Sequence, residues 1–545
     1  MLFICTMASP IQPFVALALV AVLYNIYRRW TRISVADIPG PESESFLLGN
    51  LPELFQGQVG KADFKWQERF GDIVRVKGLF GSNSLLISDP KALHHIYHSG
   101  YQIRKQGIRA ELTYLLTGPG LAAADGENHR RQRKINSPAF GTNDAKSYVP
   151  LFAAYADKLC GKWKEVLGGD ASVVVNTPTY FSRFLLDVIG EAAFDYQFGA
   201  TENDNDPFAK ALAGVIPNTF VAPTKASIFL LGLFEFLPSG LSRLFLQYAP
   251  SPALKYGRDV ARLATNVAKE LVDAKSEALL AGKGKRDIMS LLVKANASAN
   301  PRTSLSEAEL LAQMQTIMQA GHETTATSLS WALFELAQHP DVQTKLRAEI
   351  QATRRMIRAR GSDTQVTAAD FEMMPYTTAV MKEVMRYHPV APLGVREAAR
   401  DEVLPLSKPV LTLSGKTITE IPIPKGMRLI VSISGYNRKM DVFGQDAHVF
   451  NPERWLDGSV QPTTNLGVYG NLMTFGSGHR ACIGWRFAIY EFQTFLVEVV
   501  NNFEFSIDPA TLAKVRRDGA MLMMPAIAGE KGAQMPITLK EVETL

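Results

Sequence analysis

The sequence predicts a mainly helical protein with smaller β-sheets, set behind an N-terminal membrane helix. Three observations carry that prediction. Apolar residues recur mainly at helical spacing from about residue 143 to about residue 390. Proline, glycine and β-branched residues then dominate to about residue 475, and a last long helix is expected to run to about residue 500. At the front, residues 11–27 are almost wholly apolar, interrupted only by Gln12, Pro13 and Asn25.

Together with residues 2–7, that apolar run is long enough to span a bilayer, which takes about 20 residues. Arg28, Arg29 and Arg32 follow it, and residues 1–10 carry no charged side chain. The positive-inside rule then places the body of the chain in the cytosol. A cleaved secretory peptide would carry its basic residues on the other side. Residues 1–30 are therefore read as the anchor and 31–60 as a proline-rich hinge, in which Ile38-Pro-Gly-Pro41 makes a stiff turn. Residues 61–70 read as a short amphipathic helix, and residues 72–77 and 84–88 as paired strands. Residues 220–252 hold a dense apolar cluster that fits either a buried helix hairpin or a lid dipping into the membrane surface. Residues 281–286 form a Gly/Lys connection.

At 545 residues with 46% hydrophobic side chains, the chain can bury a sizeable core. The net charge of +5 is modest, and no dense Lys/Arg tract with interleaved aromatics points to nucleic acid. The three cysteines, Cys5, Cys160 and Cys482, have neither zinc-site spacing nor a disulfide pattern. Their scarcity fits a reducing compartment.

The most informative segment is Phe475-Gly-Ser-Gly-His-Arg-Ala-Cys-Ile-Gly484. It reads as a loop that offers the Cys482 thiolate to a heme iron. Gly476 and Gly478 let the backbone turn where side chains would collide with a flat macrocycle. Arg480 is placed to pair with a heme propionate and to lend positive charge near the sulfur, which favours thiolate over thiol. Gly484 lets the next helix start close to the porphyrin. A thiolate ligand pushes electron density onto iron and favours O–O cleavage. A lone cysteine is usually a small buried hydrophobe, which leaves the arginine and glycines without a role. Gly476-x-Gly478-x-x-Ala481 also partly matches a dinucleotide fingerprint, but no βαβ unit or ribose-binding acid accompanies it.

The spacing Phe-x-x-Gly-x-Arg-x-Cys-x-Gly fixes five of ten positions and resembles the signature of the heme-thiolate monooxygenases, the cytochrome P450 family. The resemblance runs from about residue 38 to 535, through separated motifs in the family's order, and is nearest in style to the microsomal enzymes of fungi. It implies one large, mostly helical catalytic domain over residues 61–545, with heme b bound through Cys482 as axial ligand and contacted by Phe475, Arg480 and Gly484.

Ala320-Gly-His-Glu-Thr-Thr325 lies inside a long apolar helix that starts with a Ser306/Glu309 capping box and runs to about Gln338. Polar residues at the centre of such a helix are costly unless satisfied. The segment resembles the family's oxygen-activation motif. By that resemblance Gly321 would let the helix open over the heme, Thr324 would hold a water or iron-bound peroxide, and Glu323 would feed protons through water as a general acid. Glu383-x-x-Arg386 shares one helix face, and Arg454 in Pro452-Glu-Arg-Trp455 would complete a Glu–Arg–Arg cluster supporting the proximal side. His129, Arg133 and Arg396 match propionate-binding positions, with His129 standing where many relatives carry Trp. Arg130, Arg131 and Lys134 read as a solvated helix face, which could also dock an acidic reductase.

The implied activity is insertion of one oxygen atom from O2 into a C–H bond of a lipophilic small molecule. The chain shows no flavin or nicotinamide site of its own, so NADPH and flavin would act only through a partner flavoprotein reductase. The expected setting is the endoplasmic reticulum membrane and secondary metabolism. A terpenoid-like substrate and a fatty acid both fit. Substrate contacts would come from residues 115–124, the helix near Met318, and residues 390–395 and 519–524. A non-redox rearrangement catalyst and a heme-binding sensor are the alternatives, and an intact Glu323-Thr324 pair argues against both.

Overall fold

The computed structural model describes residues 33–542 apart from 204–205, 220–222, 235–238, 282–286, 297–303, 362–364, 462–465 and 520–521. The anchor expected over residues 1–30 and most of the 281–286 connection lie outside the described residues. Among the described residues, no helix is long and apolar enough to cross a membrane.

The helices that build and frame the site are α1 (Lys61–Phe70), α2 (Gly107–Thr117), α3 (Gly126–Asn136), α4 (Val149–Leu167), α5 (Thr177–Phe194), α6 (Lys225–Leu233), α7 (Ser239–Tyr248), α8 (Pro252–Leu280), α9 (Glu307–Gln338), α10 (Pro375–Tyr387) and α11 (Trp485–Asn502). The largest sheet holds β1 (Ile73–Lys77), β2 (Asn83–Ile87), β3 (Ile103–Lys105), β4 (Leu393–Ala398) and β5 (Arg428–Ser432), in the order β1-β2-β5-β4-β3. Only β2 and β5 run parallel. The mainly helical class, the 61–70 helix and the 72–77/84–88 hairpin all appear as expected, each to within a residue or two.

The hinge is packed down. Arg75 donates from its backbone N–H to the Pro39 carbonyl at 2.9 Å and from its guanidinium to the Ala36 carbonyl at 2.6 Å. A side chain at Gly40 would strike the Arg75 carbonyl oxygen at 2.0 Å, so only glycine lets the turn lie against β1.

The axis of the molecule is α9. Its capping box is complete: the Glu309 N–H donates to Ser306 Oγ at 3.3 Å, and the Ser306 N–H donates to Glu309 Oε2 at 2.9 Å. The helix is buried on almost every side, packed between α5, α8 and α11. That all-round burial accounts for the weak amphipathic stripe in its sequence.

Among the described residues of the 220–252 stretch are α6 and α7, two short helices that pack near α2. Leu230, Leu241, Leu244, Phe245 and Tyr248 are exposed there, as are Phe46, Leu47 and Phe80 from the N-terminal side. The rings of Phe229, Phe80 and Phe46 connect the two groups, with centroids 6.1 and 6.4 Å apart. Arg243 on α7 makes a bidentate pair with Glu111 on α2, at 2.7 and 3.0 Å.

Candidate active site

A cavity of about 440 Å³ lies between α9 and the cysteine loop. Ala320, Gly321 and Thr324 line one wall, and Phe475, Cys482 and Gly484 line the opposite wall. The remaining lining is mostly apolar, including Ile317, Val390, Ala391, Leu393 and Leu522. Of the expected substrate stretches, 390–395, the helix near residue 318 and, through Leu522, 519–524 therefore reach the cavity. Met318 itself is buried elsewhere in the core. Residues 115–124 close over α9 instead, where the Leu121 N–H donates to Gln313 Oε1 at 3.3 Å.

The cysteine loop is closed by the Cys482 N–H donating to the Phe475 carbonyl at 2.8 Å. Gly476 and Gly478 both adopt positive φ, +69° and +61°. The steric demand at Gly478 comes from protein and not from the cavity: a Cβ there would sit 2.2 Å from the Tyr97 carbonyl oxygen. The Cys482 side chain opens onto the cavity, and protein surrounds it on its other sides. Burial pushes its thiol up, partly offset by the Gly484 N–H and by Arg133.

Arg133 and Arg480 have different protein partners. The charge acting on the sulfur is that of Arg133, whose Nη1 donates to the Ala481 carbonyl at 2.6 Å. Arg480 lines the cavity edge, where it pairs with Asp125 and donates to the Ala124 carbonyl at 3.3 Å.

Arg396 also lines that edge. The β3–β4 register pairs it with Lys105, a residue that sequence reasoning does not single out. Burial, then Arg480 and Arg396, push the Lys105 ammonium down to about 7. His129 is buried beside them. Burial comes first, then Arg480, Lys105, His479 and Arg133, in pushing it down to about 3, so it is neutral. The Tyr101 hydroxyl lies 2.8 Å from its Nδ1. With that hydroxyl donating, the ring proton sits on Nε2.

Among the described residues, Arg133, Arg396 and Lys105 have no carboxylate at ion-pair distance, and Arg480 Nε and His479 Nε2 have no hydrogen-bond partner. A buried cluster of like charge with donors left over is costly unless an anion completes it. An apolar slot with a thiol on one face and this cationic edge fits heme, its iron on Cys482 and its two propionates among these donors.

On the opposite wall, Thr324 Oγ1 donates to the Ala320 carbonyl at 2.9 Å, a helix back-bond that leaves its lone pairs facing the cavity. Gly321 does not open the helix, which continues unbroken through residues 320–325. Its missing side chain serves packing: a Cβ would sit 2.6 Å from Ile189 Cγ1 on α5. Glu323 does not line the cavity. Its carboxylate takes a hydrogen bond from Ser182 on α5 and lies 3.3 Å from His322 Nε2. Glu491, another residue that sequence reasoning misses, is wholly buried on α11. Burial holds its carboxyl well above the usual range, opposed in part by the nearby Thr325, and neither carboxyl oxygen has a hydrogen-bond partner among the described residues. Its signal in the sequence is an acid inside an otherwise largely apolar helix.

Glu383, Arg386 and Arg454 come together with no exposure at all. Arg386 grips Glu383 through two bonds of 2.7 and 2.8 Å, and Arg454 Nε donates to Glu383 Oε1 at 3.1 Å. Trp455 Nε1 donates to the same carboxylate at 3.0 Å. A chain of bonds carries this rigidity to the cysteine loop: Arg386 to the Asn437 carbonyl at 3.0 Å, Asn437 Nδ2 to Thr474 Oγ1 at 3.0 Å, and the Cys482 N–H to the carbonyl of the adjoining Phe475. Arg131 departs from the solvated face expected for it, since it pairs with Glu309 and donates to the Ser304 carbonyl at 2.6 Å. Arg130 stays exposed, paired with Glu127 at 3.0 Å.

A helical body with a cysteine loop below a polar-centred helix and a cationic edge defines a heme-thiolate oxygenase. Residues 39–529 match the cytochrome P450 family. The chain is 32% identical to cytochrome P450 monooxygenase 91 of Postia placenta, over 93% of this chain and 94% of that protein. It is 30% identical to cytochrome P450 monooxygenase claW of Ampulloclitocybe clavipes, over 96% and 95%. It is 32% identical to ganoderic acid synthetase of Ganoderma lucidum, over 91% and 94%. The chain belongs to the cytochrome P450 family and is a heme-dependent oxidoreductase. Heme, once bound, supplies the oxygen chemistry with electrons from a partner redox protein. In this chain Glu383, Arg386 and Arg454 form the buried cluster linked to the cysteine loop, Arg133 lies beside the sulfur, and apolar groups and Thr324 line the cavity.

Proposed function

We propose that this protein is a membrane-anchored monooxygenase of secondary metabolism that hydroxylates or otherwise oxidises a lipophilic, terpenoid-like molecule. O2 is the oxidant, and an NADPH-dependent flavoprotein reductase supplies electrons. The observation that carries the reading is the apolar cavity bounded by Cys482 on one side and Thr324 on the other. Away from the Arg396 and Arg480 edge, a charged substrate would lose its hydration there without a partner. The kinship with a fungal ganoderic acid synthetase supports the metabolic setting. The exposed patch on α6, α7 and the residues around Phe46 is suited to contact with lipid, in line with residues 1–30 as an endoplasmic reticulum anchor and the body in the cytosol.

The test is product analysis from membranes holding this chain and a reductase, fed a library of terpenoids and fatty acids. An oxygenated terpenoid that depends on NADPH supports the proposal. Fatty-acid products alone would replace it with a fatty-acid hydroxylase. Turnover of a peroxide without reductase would replace it with a rearrangement catalyst, and no turnover with any of them would favour a heme sensor. Protease added to sealed microsomes should digest the body, and protection would reverse the topology.

A further inference from the structure

Two cavities lie on different faces of α11. Gly484, Phe487, Ala488 and Phe492 face the heme cavity. Trp485, Ile489, Tyr490 and Gln493 line a second cavity of about 640 Å³. At about 3.6 residues per turn, these sets fall on separate stripes of one helix, so the helix is the wall between the cavities. The second volume lies within the roughly 300–1,000 Å³ typical of small-molecule sites.

Its walls are aromatic and cationic. The rings of Tyr469 and Trp485 lie 5.9 Å apart, and those of Phe371 and Tyr490 lie 6.2 Å apart. Lys382 on α10 holds its ammonium 5.4 Å from the Trp455 ring and 5.5 Å from the Tyr469 ring. Arg486 lies over Trp485 at 4.2 Å. Among the described residues, neither cation has a carboxylate at ion-pair distance. The one acid among the described lining residues, Glu372, is exposed to solvent. An aromatic wall with two unmatched cations is a receptor for a flat anion: a ring face takes its π-face and the ammonium takes its charge.

We propose that this cavity is a second ligand site, for a small planar aromatic carboxylate whose ring lies against Trp485 and Tyr469 and whose carboxylate pairs with Lys382. Burial lowers the Lys382 pKa, so an anion beside it restores what the ammonium loses in leaving water. The site needs nothing from the substrate cavity, because α11 separates them.

Equilibrium dialysis of the full-length, heme-loaded protein against 2-naphthoate tests this. One saturable site is expected, and filling it should leave the Soret band unmoved. Lys382→Met should weaken binding at least tenfold, Lys382→Arg should keep it, and Gln493→Trp should abolish it by filling the cavity. The neutral isostere 2-naphthamide should bind the unaltered protein at least tenfold more weakly, a comparison that needs no variant to fold. The carbon monoxide difference spectrum of each variant checks its fold. Absence of saturable binding at millimolar 2-naphthoate overturns the proposal. So does binding that shifts the Soret band and survives Lys382→Met, because the ligand would then be in the heme cavity.

Discussion

Lys105 and Arg396 are direct cross-strand partners on β3 and β4, two cations side by side at the edge of the heme cavity. Like charges in that relation destabilise a sheet. The arrangement therefore works against the heme-free fold and in favour of the loaded one. Lys105→Met is expected to raise the Tm of heme-free protein while weakening heme retention severalfold, measured by transfer of heme to an apo-globin acceptor. The pH dependence follows from the sign of the Lys105 shift. Its ammonium falls from 10.5 to about 7 in the heme-free fold, so between those values the unfolded chain holds more protons. Heme-free stability should rise with pH across that window, and Lys105→Met should flatten the rise. A Tm that falls in Lys105→Met would contradict this account.

Cys482 is the only described side chain in the cavity wall able to give a thiolate. Cys482→His is expected to bind heme but to lose the red-shifted Soret band of the reduced, carbon monoxide-bound protein, together with monooxygenase activity. Retention of both would remove Cys482 as the axial ligand.

Glu383 accepts from four residues and is fully buried. On an exposed helix face the Glu383–Arg386 pair would contribute well under about 1 kcal/mol. Buried, removal of one partner strands the other charge and costs about 3–5 kcal/mol. Glu383→Ala and Arg454→Ala should thus yield little folded heme protein at 37 °C, read as the carbon monoxide band per mole of chain. Wild-type yield from either variant would reduce the cluster to an ordinary ion pair.

The fold class is legible in the sequence because its helices carry period and caps, as with Ser306 and Glu309. The cysteine loop is legible because glycine, arginine and cysteine at that fixed spacing suit a heme-ligand loop and little else. What stays hidden depends on neighbours far along the chain. Lys105 gains its meaning from a strand almost 300 residues later. Arg133 and Arg480 both look like propionate anchors in sequence, and their separate protein partners, the Ala481 carbonyl and Asp125, show only in the fold. Gly321 reads as a hinge because a glycine inside a helix signals either flexibility or close packing. Ile189, on another helix, selects packing.

Glu491 predicts a second pH effect of opposite sign. Burial holds its folded carboxyl well above 4.5, so above that pH the folded state keeps a proton that the unfolded chain has released. Its contribution to stability should shrink as pH rises from about 4.5 towards neutrality. Glu491→Gln removes the titration, and its Tm relative to wild type should improve between pH 5 and pH 8. A constant difference across that range would mean that Glu491 is ionised in the fold.

Thr324 and Glu323 are adjacent in sequence but occupy different surroundings. Thr324 faces the cavity, and Glu323 is engaged by Ser182 and His322 on the α5 side. Removal of the Thr324 hydroxyl should leave heme binding and the thiolate spectrum intact. It should deprive the cavity of an ordered acceptor, so that NADPH oxidation continues while product falls and free hydrogen peroxide rises. Glu323 can take part in proton delivery only if it leaves Ser182, so its release should set the rate. Glu323→Gln is expected to slow NADPH oxidation, peroxide and product together. Ser182→Ala frees the carboxylate and should leave the cycle as fast as wild type or faster. The three variants are compared by measuring NADPH, peroxide and product in one assay. If Ser182→Ala and Glu323→Gln slow the cycle equally, the pair is a structural tie between α5 and α9, and the proton reaches the cavity by another route. If Thr324→Ala remains fully coupled, its hydroxyl has no role beyond capping the Ala320 carbonyl.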